Sequence, residues 1–216
     1  MLGAMNTSFR LDKRDLILAK GAHLMTRRGY HGTGVLDIVQ AAGIPKGSFY
    51  HYFASKEDFA VQALEYLYGP RLLRYEAVLN DPAQSPRERI LGYYRDVIVH
   101  FSRQEKPEHH CFIGSLSFEM AGECVPIASQ VESILQRSVA ILAQSLKVAR
   151  DAGELPENTD CAALAEFVAN AWEGALMRMK VRNSAASLSI FLAQLERLLT
   201  PDHLLLIDSR GTLHAS

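Results

Sequence analysis

The stretch Thr33–Lys56, TGVLDIVQAAGIPKGSFYHYFASK, decides the fold. Val35, Ile38, Val39 and Ala42 recur at i, i+3, i+4 and i+7, which is one face of an α-helix. Thr33 stands just ahead of that face as its expected cap. Gly43 follows it, where a helix end asks for a residue at ease with positive φ. Pro45 opens a second helix over roughly 46–52, because a missing N–H costs nothing in a first turn. That helix is only about two turns long. It carries Lys46, Ser48, Tyr50 and His51 and cannot bury every face. Two short helices about a Gly-containing turn make a helix-turn-helix, whose second helix enters a DNA major groove.

The run Ala42-Gly43-Ile44-Pro45-Lys46-Gly47-Ser48-Phe49-Tyr50-His51-Tyr52-Phe53, then Ser55-Lys56-Glu57-Asp58-Phe59, resembles the DNA-binding signature of the TetR family of transcriptional regulators. The likeness extends back through Gly29-Tyr30 and Thr33 and covers roughly residues 12 to 60. It departs from the common family pattern at Lys20-Gly21, Gly34 and Pro45. The resemblance implies an all-α chain of about nine helices. It implies a helix-turn-helix domain over 10–58, an effector-binding and dimerisation domain over 59–200, and a tail over 201–216. It also implies a homodimeric, cytoplasmic repressor that leaves a palindromic operator when a small molecule binds, with no cofactor.

Thr33, Ser48, Tyr50, His51 and Lys56 match family positions that touch phosphates or set the helix, and such contacts fix register without reading sequence. Lys46 and Ser48 lie on the recognition helix within reach of base edges, and Gly47 lets the backbone come close. Phe49 and Phe53 are assigned to the core, Tyr50 and His51 to the DNA side.

Composition agrees with a compact globular chain. It has 216 residues, 48% of them hydrophobic, which argues against disorder. No apolar run approaches the roughly 18 residues of a membrane span, and no secretory signal is visible at the start. Residues 1–60 hold eight basic and five acidic groups, and the remainder 15 and 19. A basic module on an acidic body suits a DNA reader. Cys111, Cys124 and Cys161 are too few and too scattered for a disulfide framework, so a reducing compartment fits.

Helices are expected over 12–28, 56–79, 86–104, 111–121, 127–152, 161–182 and 184–199, the 56–79 helix being kinked or broken by Pro70. Ser55 with Asp58, and Asp160, read as N-caps. By resemblance, the 56–79 helix carries the effector's signal to the reading heads. Arg10, Lys13 and Arg14 at the first helix start read either as phosphate contacts or as a solvated end. An effector pocket is expected among helices of the larger domain, from Tyr66, Tyr94, Phe101, Cys111, Phe112, Phe118, Trp172, Glu173 and Met177. Glu119 or Glu173 would favour cations there, Arg178 or the histidines acids.

Cys111 follows His109 and His110 at a helix start, a setting that lowers a thiol pKa. The segment is similar to that of a TetR subgroup with a Cys at the start of the sixth helix, some of which sense electrophiles or oxidants. A thiol sensor acting through Cys111 is therefore the alternative reading; a small buried hydrophobe is the bland one. Phe167, Ala171 and Ala175, with Phe191 and Leu195, form apolar stripes on the last two helices and are the expected dimer face. Two copies are wanted because so short a helix reads few base pairs, and half-sites about 34–36 Å apart give specificity. No metal site is expected, since no CxxC or HxxxH spacing occurs, and no Ser-His-Asp spacing or phosphate loop supports an enzyme.

Overall fold

The computed structural model describes residues 13–103 and 112–200. Among them are nine α-helices and no strand: α1 (Lys13–Arg28), α2 (Val35–Ala42), α3 (Lys46–Tyr52), α4 (Lys56–Leu79), α5 (Pro86–Ser102), α6 (Phe112–Met120), α7 (Val125–Asp151), α8 (Cys161–Arg182) and α9 (Ala186–Leu198). The all-α expectation holds. Cys111, Arg10 and the tail lie outside the described residues.

Most helix ends obey local chemistry. Asp160 accepts the N–H groups of Ala162 and Ala163 at the start of α8. Ser55 accepts from Asp58 N–H at 3.1 Å, and the Asp58 carboxylate accepts in return from Ala54 N–H at 2.8 Å. Gly43 closes α2 in the left-handed region at φ 66°.

The start of α2 corrects the sequence reading. Gly34, not Thr33, is the N-cap, and Asp37 accepts from the Gly34 N–H at 2.8 Å. Thr33 is fully buried, and its hydroxyl donates to the Gly29 carbonyl at 2.8 Å. The side chain is spent fastening the α1–α2 turn. Helix α4 is not broken at Pro70 but runs on through it to Leu79. Pro70 is exposed, so its ring meets solvent rather than packed neighbours.

The chain forms two compact units that divide within α4, between Gly69 and Pro70. The first takes the chain up to Gly69 together with Ser115–Val131. Its core joins Ile17, Leu18, Ala22 and Met25 of α1 to Ile38 and Val39 of α2 and to Phe59, Ala63 and Leu64 of α4, all buried. Phe49, Phe53 and Phe59 stack within it, with centroids 5.1–5.8 Å apart. Gly21 earns its place here: a Cβ would sit 2.5 Å from the Phe59 ring and 2.7 Å from Ile38. The departure at Lys20-Gly21 therefore makes room for an aromatic ring.

The second unit comprises Pro70–Gly114 and the chain from Glu132 onward. Its core gathers Tyr75, Leu79, Ile90, Leu91, Tyr94, Leu142, Leu146, Val168, Met179, Leu188 and Leu195 from α4, α5, α7, α8 and α9. Arg87 ties its ends together, its N–H donating to Glu154 at 2.7 Å and its Nε to the Leu199 carbonyl at 2.8 Å.

Gly29 ends α1 at φ 78°, and a methyl group there would overlap the Glu119 carboxylate. That carboxylate accepts the His31 N–H at 3.0 Å. Gly29→Ala is therefore expected to cost about 1–3 kcal/mol through backbone strain and displacement of Glu119. Chemical denaturation checks this, and an unshifted midpoint would show that the turn relaxes freely.

Candidate functional site

Helix α3 sorts its side chains by burial. Phe49 is fully buried and Phe53, which closes the helix, nearly so. Lys46, Gly47, Tyr50 and His51 are exposed and Ser48 is half-buried. The two phenylalanines thus clamp the helix to its unit while the polar residues face outward. Tyr50 is 55% exposed, a large aromatic left in water unless something covers it. A Cβ at Gly47 would meet nothing within 4 Å, so the backbone there is open to approach. The expectations for Phe49, Phe53, Tyr50 and His51 agree with this burial. Thr33 does not belong to the outward set, because its side chain has no accessible surface with which to meet a phosphate.

Lys56 lies at the start of α4 with its ammonium 4.0 Å from the centroid of the Tyr30 ring. Tyr30 is held in turn by its hydroxyl, which donates to Glu57 at 2.9 Å. Burial pushes the Lys56 pKa down, while the charges of Glu57, Glu119 and Asp37 oppose that shift. Glu57 is held below its ordinary range, first by the Ser55 hydroxyl and then by backbone and Tyr30 hydrogen bonds. Tyr30 and Glu57 therefore orient Lys56, a role that the motif alone did not reveal.

In the second unit, Tyr94, Trp172 and Phe191 form a triangle of rings with centroids 5.1 Å apart on each side. Tyr75 and Tyr94 share a hydrogen bond at 3.3 Å between buried hydroxyls. Phe101 packs on this core half-buried, Phe112 is buried, and Glu173 is half-buried. Two expected pocket residues do not turn inward: Phe118 is 82% exposed and Met177 is 49% exposed. Phe118 occupies the outward side of a short helix whose inner positions are taken by Leu116 and Met120. Met177 has the buried Ala175 and Met179 on either side of it along α8. Tyr66 is half-buried and belongs to the first unit.

An apolar groove of about 250 Å³ lies on α8 and α9. Phe167, Ala171, Ala175, Phe191 and Leu195 all line it, together with Ile190 and Leu198. Sequence reasoning named the first five and missed Ile190, whose 60% exposure puts a β-branched apolar side chain in water. Among the described residues no group of three or more His, Cys, Asp or Glu could hold a metal ion, and no helix is long and apolar enough to cross a membrane.

Residues 17–63 match the family described as bacterial regulatory proteins, tetR family, and residues 86–195 match the tetracyclin repressor-like C-terminal domain. The chain belongs to the TetR family. It is 30% identical over 199 residues to the HTH-type transcriptional repressor NemR of Escherichia coli strain K12, covering 90% of this chain and 98% of that protein. It is 29% identical over 192 residues to the HTH-type transcriptional repressor DhaR of Mycobacterium sp. strain GP1, covering 89% and 94%. The crystal structure of reduced E. coli NemR superposes with a TM-score of 0.80 at 31% identity, over 88% of this chain and 98% of that one. This TetR-family chain accordingly carries the helix-turn-helix domain of a bacterial regulatory protein ahead of a tetracyclin repressor-like C-terminal domain.

Proposed function

We propose that two copies of this chain read a pseudo-palindromic operator, one α3 in each half-site, and leave it when a small molecule binds the helical core of the second unit. The observation that carries the DNA-reading part is the division of α3, with Phe49 buried and Lys46, Gly47, Tyr50 and His51 exposed. Lys46 and the half-buried Ser48 reach base edges, while Tyr50, His51 and Lys56 hold phosphates. The α8–α9 groove supplies the dimer contact, as its apolar lining requires a cover. Helix α4 begins at Lys56 and continues into the second unit, so a shift of α4 moves the two recognition helices off the spacing of one DNA turn.

A gel-shift titration against a palindrome from the gene's own promoter region tests this. The operator affinity is expected to fall steeply with salt, and Lys56→Ala, which removes a phosphate contact, is expected to reduce the salt slope by about one. Salt-insensitive or absent binding would sink the reading.

A second reading places the signal at Cys111, which lies outside the described residues. It is favoured by the relative crystallised in a reduced form, a description that belongs to that protein. Replacing Cys111 with Ser separates the two, because a non-covalent effector would still release the DNA.

A further inference from the structure

The turn between α1 and α2 is gripped by a side chain of α6. Helix α6 starts in the second unit, but Ser115–Val131 belongs to the first, so this grip is internal to the reading module. Glu119 Oε2 accepts the His31 N–H at 3.0 Å. Its other carboxylate oxygen lies where a side chain on Gly29 would begin, and Gly29, at φ 78°, has none. Glu119 thus meets the residues on both sides of Tyr30. The Tyr30 ring carries Lys56, whose ammonium is 4.0 Å from the centroid. The turn is also bonded to itself: the Thr33 N–H donates to the Tyr30 carbonyl at 3.2 Å, and the Thr33 hydroxyl to the Gly29 carbonyl at 2.8 Å. Fixing Gly29 and His31 therefore fixes the backbone of Tyr30 between them. Burial lowers the Lys56 pKa, and among the charges that oppose it Glu119 comes second after Glu57, so carboxylate and ammonium are near neighbours. Glu123 meets only the His31 imidazole, at 3.5 Å between two side chains more than half exposed. Such a pair contributes little.

We propose that Glu119 is a positioning residue for operator binding: it fixes Gly29 and His31, so holds the Tyr30 ring, and through that ring aims the Lys56 ammonium at a DNA phosphate. An ammonium already seated on a ring loses less freedom when it meets the phosphate. Glu119 acts by reach and by hydrogen bonding. Its charge alone works the other way, since it draws Lys56 towards the protein. This inference rests on the operator-binding reading above and adds the residue that sets one of its phosphate contacts.

The test is a gel-shift titration of the full chain at several salt concentrations, with the same palindrome. Glu119→Ala removes the grip, Glu119→Asp keeps the charge but shortens the reach, and Glu119→Gln keeps the reach and an acceptor oxygen without the charge. The Ala and Asp variants are each expected to weaken operator binding about tenfold, the size of one good hydrogen bond. They are also expected to lower the salt slope by about one, as Lys56→Ala does. Glu119→Gln is expected to rescue both, with affinity within about threefold of the parent. In a Lys56→Ala background Glu119→Asp is expected to cost nothing further, because both changes remove one contact. A general loosening of the module would instead add its loss to that of Lys56→Ala and leave the slope unaltered. Should Glu119→Ala fold poorly by circular dichroism, the Asp and Gln variants decide the matter. Glu119→Asp binding like the parent, Glu119→Gln binding as weakly as Glu119→Asp, or losses that add to that of Lys56→Ala would each overturn the proposal. Absent binding by the parent sinks the operator reading itself, whereas parent binding with any of those three results sinks the Glu119 inference alone.

Discussion

Phe59→Ala is expected to abolish operator binding by unfolding the reading module. The Phe59 ring is fully buried. It packs on Phe49 at 5.8 Å and Phe53 at 5.1 Å and fills the notch left by Gly21. Truncating a buried phenylalanine costs about 3–5 kcal/mol, part in lost transfer energy and part in the cavity left behind. A three-helix module of this size buries little surface and has little stability to spare. Phe49 is the side chain that fixes α3, so loosening its neighbours frees the helix that carries Lys46 and Ser48. Thermal melts followed by circular dichroism should show the loss, and gel shifts should show operator affinity down by more than about a hundredfold, each 1.4 kcal/mol being a factor of ten. Phe59→Leu, which keeps much of the volume, should retain most of the binding. Were Phe59→Ala to bind within about threefold of the parent, a difference of well under 1 kcal/mol, the aromatic cluster would not be what orders α3.

Ile190→Glu is expected to convert the protein to a monomer that folds but reads DNA weakly. Ile190 lines the α8–α9 groove and is 60% exposed, so the charge is tolerated within one chain. In an interface related by twofold symmetry, the change places two carboxylates in one apolar seam, each desolvated without a partner. The dimer should weaken by several kcal/mol, which analytical ultracentrifugation reads as a shift to the monomer mass. Operator affinity should fall by at least about a hundredfold, because a single α3 contacts too few base pairs to hold the site alone. The helical circular dichroism signal should persist. A variant that sediments as a dimer with an unaltered dissociation constant would place the interface elsewhere.

Helix α3 and its turn were legible in the sequence because their determinants are local. Gly43 meets a positive φ, Phe49 and Phe53 alternate with polar neighbours, and Asp160 caps the helix it precedes. The same holds for the α8–α9 stripe, where apolar residues at helical spacing named half of the groove lining. The family membership followed from these local patterns as well.

Where a side chain finds its partner across the fold, the sequence was silent or misleading. Thr33 has the chemistry of a helix cap and the position of a phosphate contact, yet the turn at Gly29 takes its hydroxyl into the interior. Pro70 lacks the N–H that a helix needs, and α4 continues because the rest of its hydrogen bonds and packing outweigh one missing bond. Phe118 is as apolar as Phe112, but which of the two is buried depends on the elements that cover α6. Lys56 above the Tyr30 ring, Glu119 beneath Gly29, and the Tyr75 hydroxyl bonded to that of Tyr94 are joined across long stretches of chain. The chain by itself determined a helix-turn-helix regulator and its reading helix, since capping and periodicity act over a few residues. Only the tertiary structure decided which polar groups are satisfied, since satisfaction depends on neighbours brought together from distant segments.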